Sequence, residues 1–173
     1  MRIIGGNLKG RKIIPPKDKS TRPLKDLTKE SMFNIIKHSN LFNVNIEKSN
    51  ILDLFAGVGS FGLECLSRGA LFVLFYENYP NVLPILVKNL ENLFHNDKSQ
   101  ILNRDIFLEH TFSDLTKKFD IIFLDPPYKE KKLNILFRNI IKYKILKKEG
   151  VIILHRHKKE KDDFPEEFNI LKV

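Results

Sequence analysis

One cysteine in 173 residues, Cys65, leaves no partner for an internal disulfide and no basis for a multi-cysteine metal site. That scarcity fits a reducing compartment, and Cys65 itself reads as a small apolar residue on a helix. Long apolar runs are missing too. None approaches the ~20 residues a membrane-spanning helix needs, and Met1-Arg2-Ile3-Ile4-Gly5-Gly6 gives way to charges without the apolar core of a signal peptide. The expected location is the cytoplasm, with no membrane partner. No internal repeat or low-complexity tract interrupts the chain, and its length suits one domain that buries ~70% of its unfolded surface without staples. Acidic residues are the other shortage: 21 Asp and Glu face 30 Lys and Arg, for a formal net charge of +9. The excess is concentrated at the start. Residues 1–29 hold Arg2, Lys9, Arg11, Lys12, Lys17, Lys19, Arg22, Lys25 and Lys29 against Asp18 and Asp26 alone. An acidic partner is therefore expected to meet this end.

What is present is a regular rhythm of elements. Ile3-Ile4 and Ile13-Ile14 flank Gly5-Gly6 and Gly10, which predicts a basic β-hairpin closed by Pro15-Pro16. After a polar linker, Arg22-Pro23 leads into a helix from about Asp26 to His38, with Leu27, Phe33 and Ile36 among its apolar positions. Residues 39–49 read as loop with a frayed helical piece. Ile51 to Gly57 reads as the first central strand, Ser60 to Arg68 as a helix stopped by Gly69, and Leu71 to Glu77 as an apolar strand ending on an acid. Pro80 and Pro84 open a helix that keeps its spacing to Phe94, followed by a strand over Gln100 to Ile106 and a shorter helix over Glu109 to Lys117. Phe119 to Leu124 is a fourth strand. Leu133, Leu136, Phe137, Ile140, Ile141 and Ile145 mark a further helix stopped at Gly150, and Val151 to Leu154 a fifth strand.

Such alternation implies an α/β fold: a mostly parallel, Rossmann-like sheet with right-handed crossovers, helices on both faces and ligands at the strands' carboxyl ends. Asp53, Glu77, Asp105 and Asp125 all fall there. Residues 1–24 read as a basic hairpin and linker extension, and residues 25–173 as the main domain. Phe168 to Val173 reads as the start of a sixth strand with nothing after it to pair, so the C-terminal strands are incomplete on this reading and an exposed edge is expected.

Two constellations carry chemistry. Four apolar residues, Ile121 to Leu124, deliver Asp125-Pro126-Pro127-Tyr128 at a strand end. The prolines carry no N–H and stiffen the backbone, so their carbonyls can point into a cleft. An Asp125 oxygen and the Pro126 carbonyl can accept the two hydrogens of an exocyclic base amine while Tyr128 stacks on the base. Gly57-Val58-Gly59-Ser60-Phe61-Gly62 meets the Gly-x-Gly-x-x-Gly spacing at a strand-to-helix turn, and Glu77 stands about 20 positions on, where ribose hydroxyls are held. By itself the pattern admits a dinucleotide or S-adenosylmethionine. Asp53 favours the latter, since a carboxylate there can meet an ammonium. Asp105 can accept from an adenine amine, with Ile106 and Phe107 offering apolar contact to its ring; Phe55 and Asn78, beside the turn and after Glu77, complete the expected cofactor set.

With these residues in place the chain resembles the RsmD family of bacterial small-subunit ribosomal RNA guanine-N2 methyltransferases. The resemblance runs through Arg2-Ile3-Ile4-Gly5-Gly6, Gly10-Arg11-Lys12, Arg22-Pro23, the Glu30 to Asn34 helix, Leu52-Asp53-Leu54-Phe55-Ala56-Gly57, Gly62-Leu63-Glu64, Leu66-Ser67-Arg68-Gly69-Ala70 and Asp125-Pro126-Pro127-Tyr128, in family order. It implies a class I S-adenosylmethionine-dependent methyltransferase with an N-terminal hairpin, acting on the N2 amine of a guanine in 16S ribosomal RNA of an assembling 30S particle; separately, a monomer is expected. Arg2, Lys9, Arg11, Lys12 and Arg22 are then expected to grip RNA phosphates. The departures are Leu27 for an arginine, Val58 for a small polar residue, Tyr79 for an acid, and His155-Arg156-His157 at the usually acidic end of the fifth strand. His155 and His157 share a strand face, but further ligands are lacking and no metal is expected. The rival readings are another RNA or DNA amine methyltransferase with the same tip, a nicotinamide enzyme, and a non-catalytic RNA-binding assembly factor.

Overall fold

A computed structural model describes residues 1–17, 24–94, 97–157 and 159–171. Its elements in chain order are α1 (Asp26–His38), β1 (Asn50–Leu54), α2 (Ser60–Ser67), β2 (Phe72–Tyr76), α3 (Leu83–Leu93), β3 (Ser99–Leu102), β4 (Phe119–Leu124), α4 (Leu133–Lys142) and β5 (Leu146–Leu154). The five strands form one sheet in the order β3-β2-β1-β4-β5, and every pair is parallel.

The strand sequences read as continuous apolar runs because both faces are covered. Ile51, Val73, Phe75, Ile121 and Phe123 face a core shared with Phe33 and Ile36 of α1, Phe61 and Leu63 of α2, and Leu86 and Leu90 of α3. Their neighbours Leu52, Leu54, Leu74, Tyr76, Ile122 and Leu124 face a second core with Leu136, Phe137 and Ile140 of α4. Between β1 and β4 the order of connection reverses, since the chain steps outward to β2 and β3 on one side and to β5 on the other. A crevice opens at the carboxyl ends of strands at such a reversal. The pairings Asp53↔Phe123 and Leu54↔Leu124 bring Asp53 and the residue after β4, Asp125, to its two sides.

The N-terminal segment doubles back as expected, but through an isolated Arg2↔Lys12 antiparallel bridge and a few backbone bonds, not a ladder. Ile3 and Ile13 enter the first core fully buried, which uses up the apolar side of so short a hairpin. Its backbone is tied to the helices. Ile4 N–H donates to Glu64 Oε2 at 2.8 Å, Leu8 N–H to Ser67 Oγ at 2.9 Å, and Ile14 N–H to Asn89 Oδ1 at 2.8 Å.

Several expected elements differ. The helix over Glu109 to Lys117 is absent; residues 106–114 are successive turns held by three-residue bonds such as Thr111 N–H to Leu108 O at 3.1 Å. There Phe112 is drawn into the core edge-on to Tyr76, whose hydroxyl donates to the Thr111 carbonyl. The helix expected to run to Gly150 ends at Lys142, where Lys144 takes a positive φ of 50° and turns the chain into β5. Gly150 lies inside that strand, beside a bulge where Phe119↔Leu146 is followed by Ile121↔Val151. Leu27 is 78% exposed, not an apolar contact of α1. Residues 168–171 form no strand; Phe164 and Phe168 instead pack against Phe137 of α4, with ring centroids at 5.3 and 5.9 Å.

Candidate active site

A cleft of about 1160 Å³ opens at the carboxyl ends of the strands. That exceeds the usual span of a single small-ligand site, ~300–1,000 Å³, and leaves room for two ligands side by side. One wall is the turn after β1. Phe55, Gly57 and Gly59 all take positive φ, 59°, 58° and 85°, so the backbone there is left-handed three times in five residues. A bulky side chain in that region is strained, and such strain gathers at ligand sites. Glu77, just after β2, holds the turn in shape: its Oε2 accepts Gly57 N–H at 2.6 Å and its Oε1 accepts Tyr79 N–H at 2.8 Å. Both oxygens thus serve the protein first, and each keeps a second lone pair. Phe55 and Asn78 also line the cleft. Gly59 does not. It caps α2, and a Cβ there would lie 2.5 Å from Leu86 Cδ1, so it shapes the turn from behind.

Asp53 sits at the floor, 1% exposed, and its Oδ2 accepts Gly62 N–H at 2.9 Å. Burial raises its carboxyl from the ordinary 3.8 to about 8; the Gly62 bond opposes the rise, while Asp125 and Glu77 add to it. Asp105 lies past the end of β3, which stops at Leu102, and its Oδ1 accepts Phe107 N–H at 2.9 Å. This small turn presents Ile106 and Phe107 to the cleft, with the Phe107 ring 5.9 Å from that of Phe55.

The opposite wall is Asp125 to Tyr128. The Pro126 carbonyl has no hydrogen-bond partner among the described residues, whereas the Pro127 carbonyl accepts Glu130 N–H at 3.0 Å and Arg156 Nη1 at 3.1 Å. Tyr128 is half-exposed at the rim, its ring edge-on to His157 with centroids at 6.3 Å. His155 Nδ1 lies 2.8 Å from Asp125 Oδ1. In the sequence His155 and Arg156 stand out as departures from the family pattern, not as site residues. The signal for their role is their position at the end of the strand beside β4. Among the described residues no group of three or more His, Cys, Asp and Glu gathers as metal ligands do.

Arg2, Lys9, Arg11 and Lys12 are exposed on the N-terminal segment, and Met1, Leu24, Lys25 and Thr28 reach the cleft itself. Arg22 lies outside the described residues. Lys29, counted in the basic excess, is fully buried: its Nζ donates to the Arg2 carbonyl at 2.7 Å and lies 3.5 Å from Glu64. Burial lowers its pKa, and Glu64 opposes that fall.

The parallel sheet, with a glycine turn after its first strand, an acid after the second and Asp-Pro-Pro-Tyr after the fourth, has the Rossmann-like architecture of a class I S-adenosylmethionine-dependent methyltransferase. The family described as "Conserved hypothetical protein 95", the RsmD family, matches residues 1–173, and the chain belongs to it. It is 32% identical over 174 residues to Ribosomal RNA small subunit methyltransferase D of Buchnera aphidicola subsp. Acyrthosiphon pisum, covering 98% of this chain and 85% of the relative. To the protein of the same name from Haemophilus influenzae it is 33% identical over 179 residues, covering 99% and 86%. The solved structure of yhhF from Escherichia coli matches with a TM-score of 0.81 at 28% identity, over 99% of this chain and 90% of that one. The protein is a methyltransferase.

Proposed function

We propose that the protein transfers a methyl group from S-adenosylmethionine to the exocyclic N2 amine of a guanine in small-subunit ribosomal RNA. The observation that carries this reading is the convergence, on one cleft, of a donor wall and an acceptor wall: Asp53, Gly57 and Glu77 face Asp125 and Pro126. The relatives named as small-subunit RNA methyltransferases supply the substrate class.

The residues present fit the donor. A buried carboxyl at the cleft floor, pushed up to about 8, is the environment a neighbouring ammonium relieves. The positive-φ turn and Glu77 suit the ribose side, and Asp105, Ile106, Asn78 and Phe55 the adenine side. When bound, S-adenosylmethionine supplies an electrophilic methyl on a sulfonium.

The protein's own task is to prepare the nucleophile. A guanine amine is weak because its lone pair is delocalised into the ring, and a carboxylate is too weak a base to deprotonate it first. Asp125 and the Pro126 carbonyl each accept one amine hydrogen, draw the nitrogen toward tetrahedral geometry and aim its lone pair across the cleft. The Asp125 carboxylate then offsets the positive charge that grows on nitrogen as the N–C bond forms and the S–C bond breaks, and accepts the proton that the methylated amine, now acidic, must lose. Pro127 fixes the turn, and Tyr128 stacks on the base at the rim. A guanine reaches this position only when unstacked from its helix or held in a loop.

Residues 1–24 act as the RNA-gripping extension of the domain over 25–173, with Arg2, Lys9, Arg11, Lys12 and Arg22 on phosphates. The substrate is an assembling 30S particle in the cytoplasm, met by a monomer. Methyl-group mapping of ribosomal RNA with and without the protein tests the reading directly. Asp125→Ala is expected to lower kcat about a hundredfold, a loss of ~3 kcal/mol by analogy with a lost oxyanion donor. Tyr128→Ala should cost ~1–3 kcal/mol in base stacking. Full activity in both variants would remove this site from the chemistry.

A further inference from the structure

β5 ends beside the acceptor wall, and the two residues after it fasten that wall from behind. The Leu124↔Leu154 pairing continues through His155 N–H, which donates to the Leu124 carbonyl at 2.9 Å and sets His155 level with Asp125. His155 Nδ1 then reaches Asp125 Oδ1 at 2.8 Å. A carboxylate only accepts, so Nδ1 carries the hydrogen and His155 donates it. This engages one carboxylate oxygen, fixes the rotation of the side chain and leaves Oδ2 to face an amine. Arg156, its side chain 8% exposed, donates from Nη1 to the Pro127 carbonyl at 3.1 Å and from Nη2 to the Glu130 carbonyl. The same guanidinium reaches Asp162 from Nε at 3.1 Å and from Nη2 at 3.2 Å. A planar fork with five N–H donors can hold three segments in one plane, which a lysine cannot.

We propose that His155 and Arg156 are positioning residues of the acceptor site. His155 turns the Asp125 carboxylate so that Oδ2 meets the substrate amine, and Arg156 holds the Pro126 carbonyl in place by tying down the turn that follows it. This rests on the reading of Asp125 to Tyr128 as the amine-binding tip. Two acceptors must meet one small nitrogen, and a displacement of ~1 Å is enough to cost about a hundredfold in rate.

The test uses the full chain and four variants, His155→Leu, His155→Asn, Arg156→Met and Arg156→Lys. For each, kcat and KM are measured on undermethylated small-subunit particles, S-adenosylmethionine affinity by calorimetry, and hydrogen exchange over residues 126–133 by mass spectrometry. His155→Leu is expected to lower kcat roughly tenfold or more, with KM and cofactor affinity within about twofold of wild type. His155→Asn, which keeps an N–H near the Nδ1 position, is expected to restore most of that loss. Arg156→Met should speed exchange over 126–133, and Arg156→Lys should recover it only in part. Unchanged kcat in His155→Leu, a loss that tracks cofactor affinity, or unchanged exchange in Arg156→Met would overturn the proposal. A wild-type protein inactive on every particle tested would sink the substrate reading alone, because the exchange measurement still decides whether Arg156 holds the turn.

Discussion

Asp53 already serves one partner, and on the proposed function it meets a second. In the free protein its Oδ2 accepts Gly62 N–H near the start of α2, doing for a helix whose cap residue Gly59 has no side chain what an N-cap oxygen does elsewhere. Toward the cleft it is a buried acid raised to about 8, so at pH 7 it is mostly protonated. The sign of its pH effect follows. The unfolded chain loses this proton near 3.8 and the folded protein keeps it to about 8, so between those values the native state binds more protons. Stability from this group therefore falls as pH rises through that window, and the loss is complete above it. Asp53→Asn keeps an acceptor for Gly62, and its urea midpoint should lack this downward drift between about pH 4 and pH 8. An ammonium beside Asp53 favours the carboxylate, so donor binding at pH 7 should expel about one proton. Calorimetry in two buffers of different ionisation heat should show it for wild type and not for Asp53→Asn. Equal heats for wild type would place the ammonium elsewhere.

Among the elements, α2 and α3 do most to shape the donor wall. A Cβ on Gly62 would lie 2.2 Å from Phe75 Cε1 of β2, so Gly62→Ala should overpack the helix against the sheet and cost ~1–3 kcal/mol in urea unfolding. Asn89, buried on α3, joins two segments distant in sequence: its Oδ1 accepts Ile14 N–H at 2.8 Å, and its Nδ2 donates to the carbonyls of Ile14 at 3.2 Å and Val58 at 3.0 Å. Asn89→Ala leaves these groups without that partner, at ~1–3 kcal/mol. It should also speed tryptic cleavage at Arg11 and Lys12, and an unchanged rate would show that the N-terminal segment is held without α3. The strands of the site were legible because each is a short apolar run ending on an acid, and the tip because Pro126-Pro127 mark where pairing stops. The turns of 106–114 were not: Phe112 and Leu115 mimic helical spacing, while Ser113, bonded to the His110 carbonyl at 2.8 Å, and Asp114, paired with Arg104 at 2.8 Å, favour local and cross-chain bonds. β5 was half-hidden because Lys147 to Glu149 are polar residues carried outward by the bulge. The roles of His155 and Arg156 were illegible for a different reason. Their partners on the Asp125 to Glu130 stretch lie 26 to 30 positions away in the chain, and only the β4–β5 pairing brings them together.

At the scale of the whole molecule, the net charge of +9 says less than where the cations point. Glu64, fully buried, gathers Lys29 at 3.5 Å and Arg68 at 2.9 Å, and also accepts Ile4 N–H at 2.8 Å. Lys29 in turn holds the Arg2 carbonyl. Part of the basic excess is thereby placed inside, fixing the backbone of the N-terminal segment to α1 and α2, while Arg2, Lys9, Arg11 and Lys12 remain outside. If these exposed cations grip RNA phosphates as proposed, binding releases counterions and weakens with salt. Charge reversal of Arg11 and Lys12 together should lower RNA affinity and flatten the log-affinity against log-salt slope by ~1.5, since each phosphate no longer neutralised accounts for ~0.7–0.9. Lys148→Glu is the control, because Lys148 is exposed on the early part of β5, at the other end of the strands from the cleft. If Arg11→Glu with Lys12→Glu leaves the slope where Lys148→Glu leaves it, the N-terminal segment is a solvated surface, and the RNA must be held by the cleft and its rim alone.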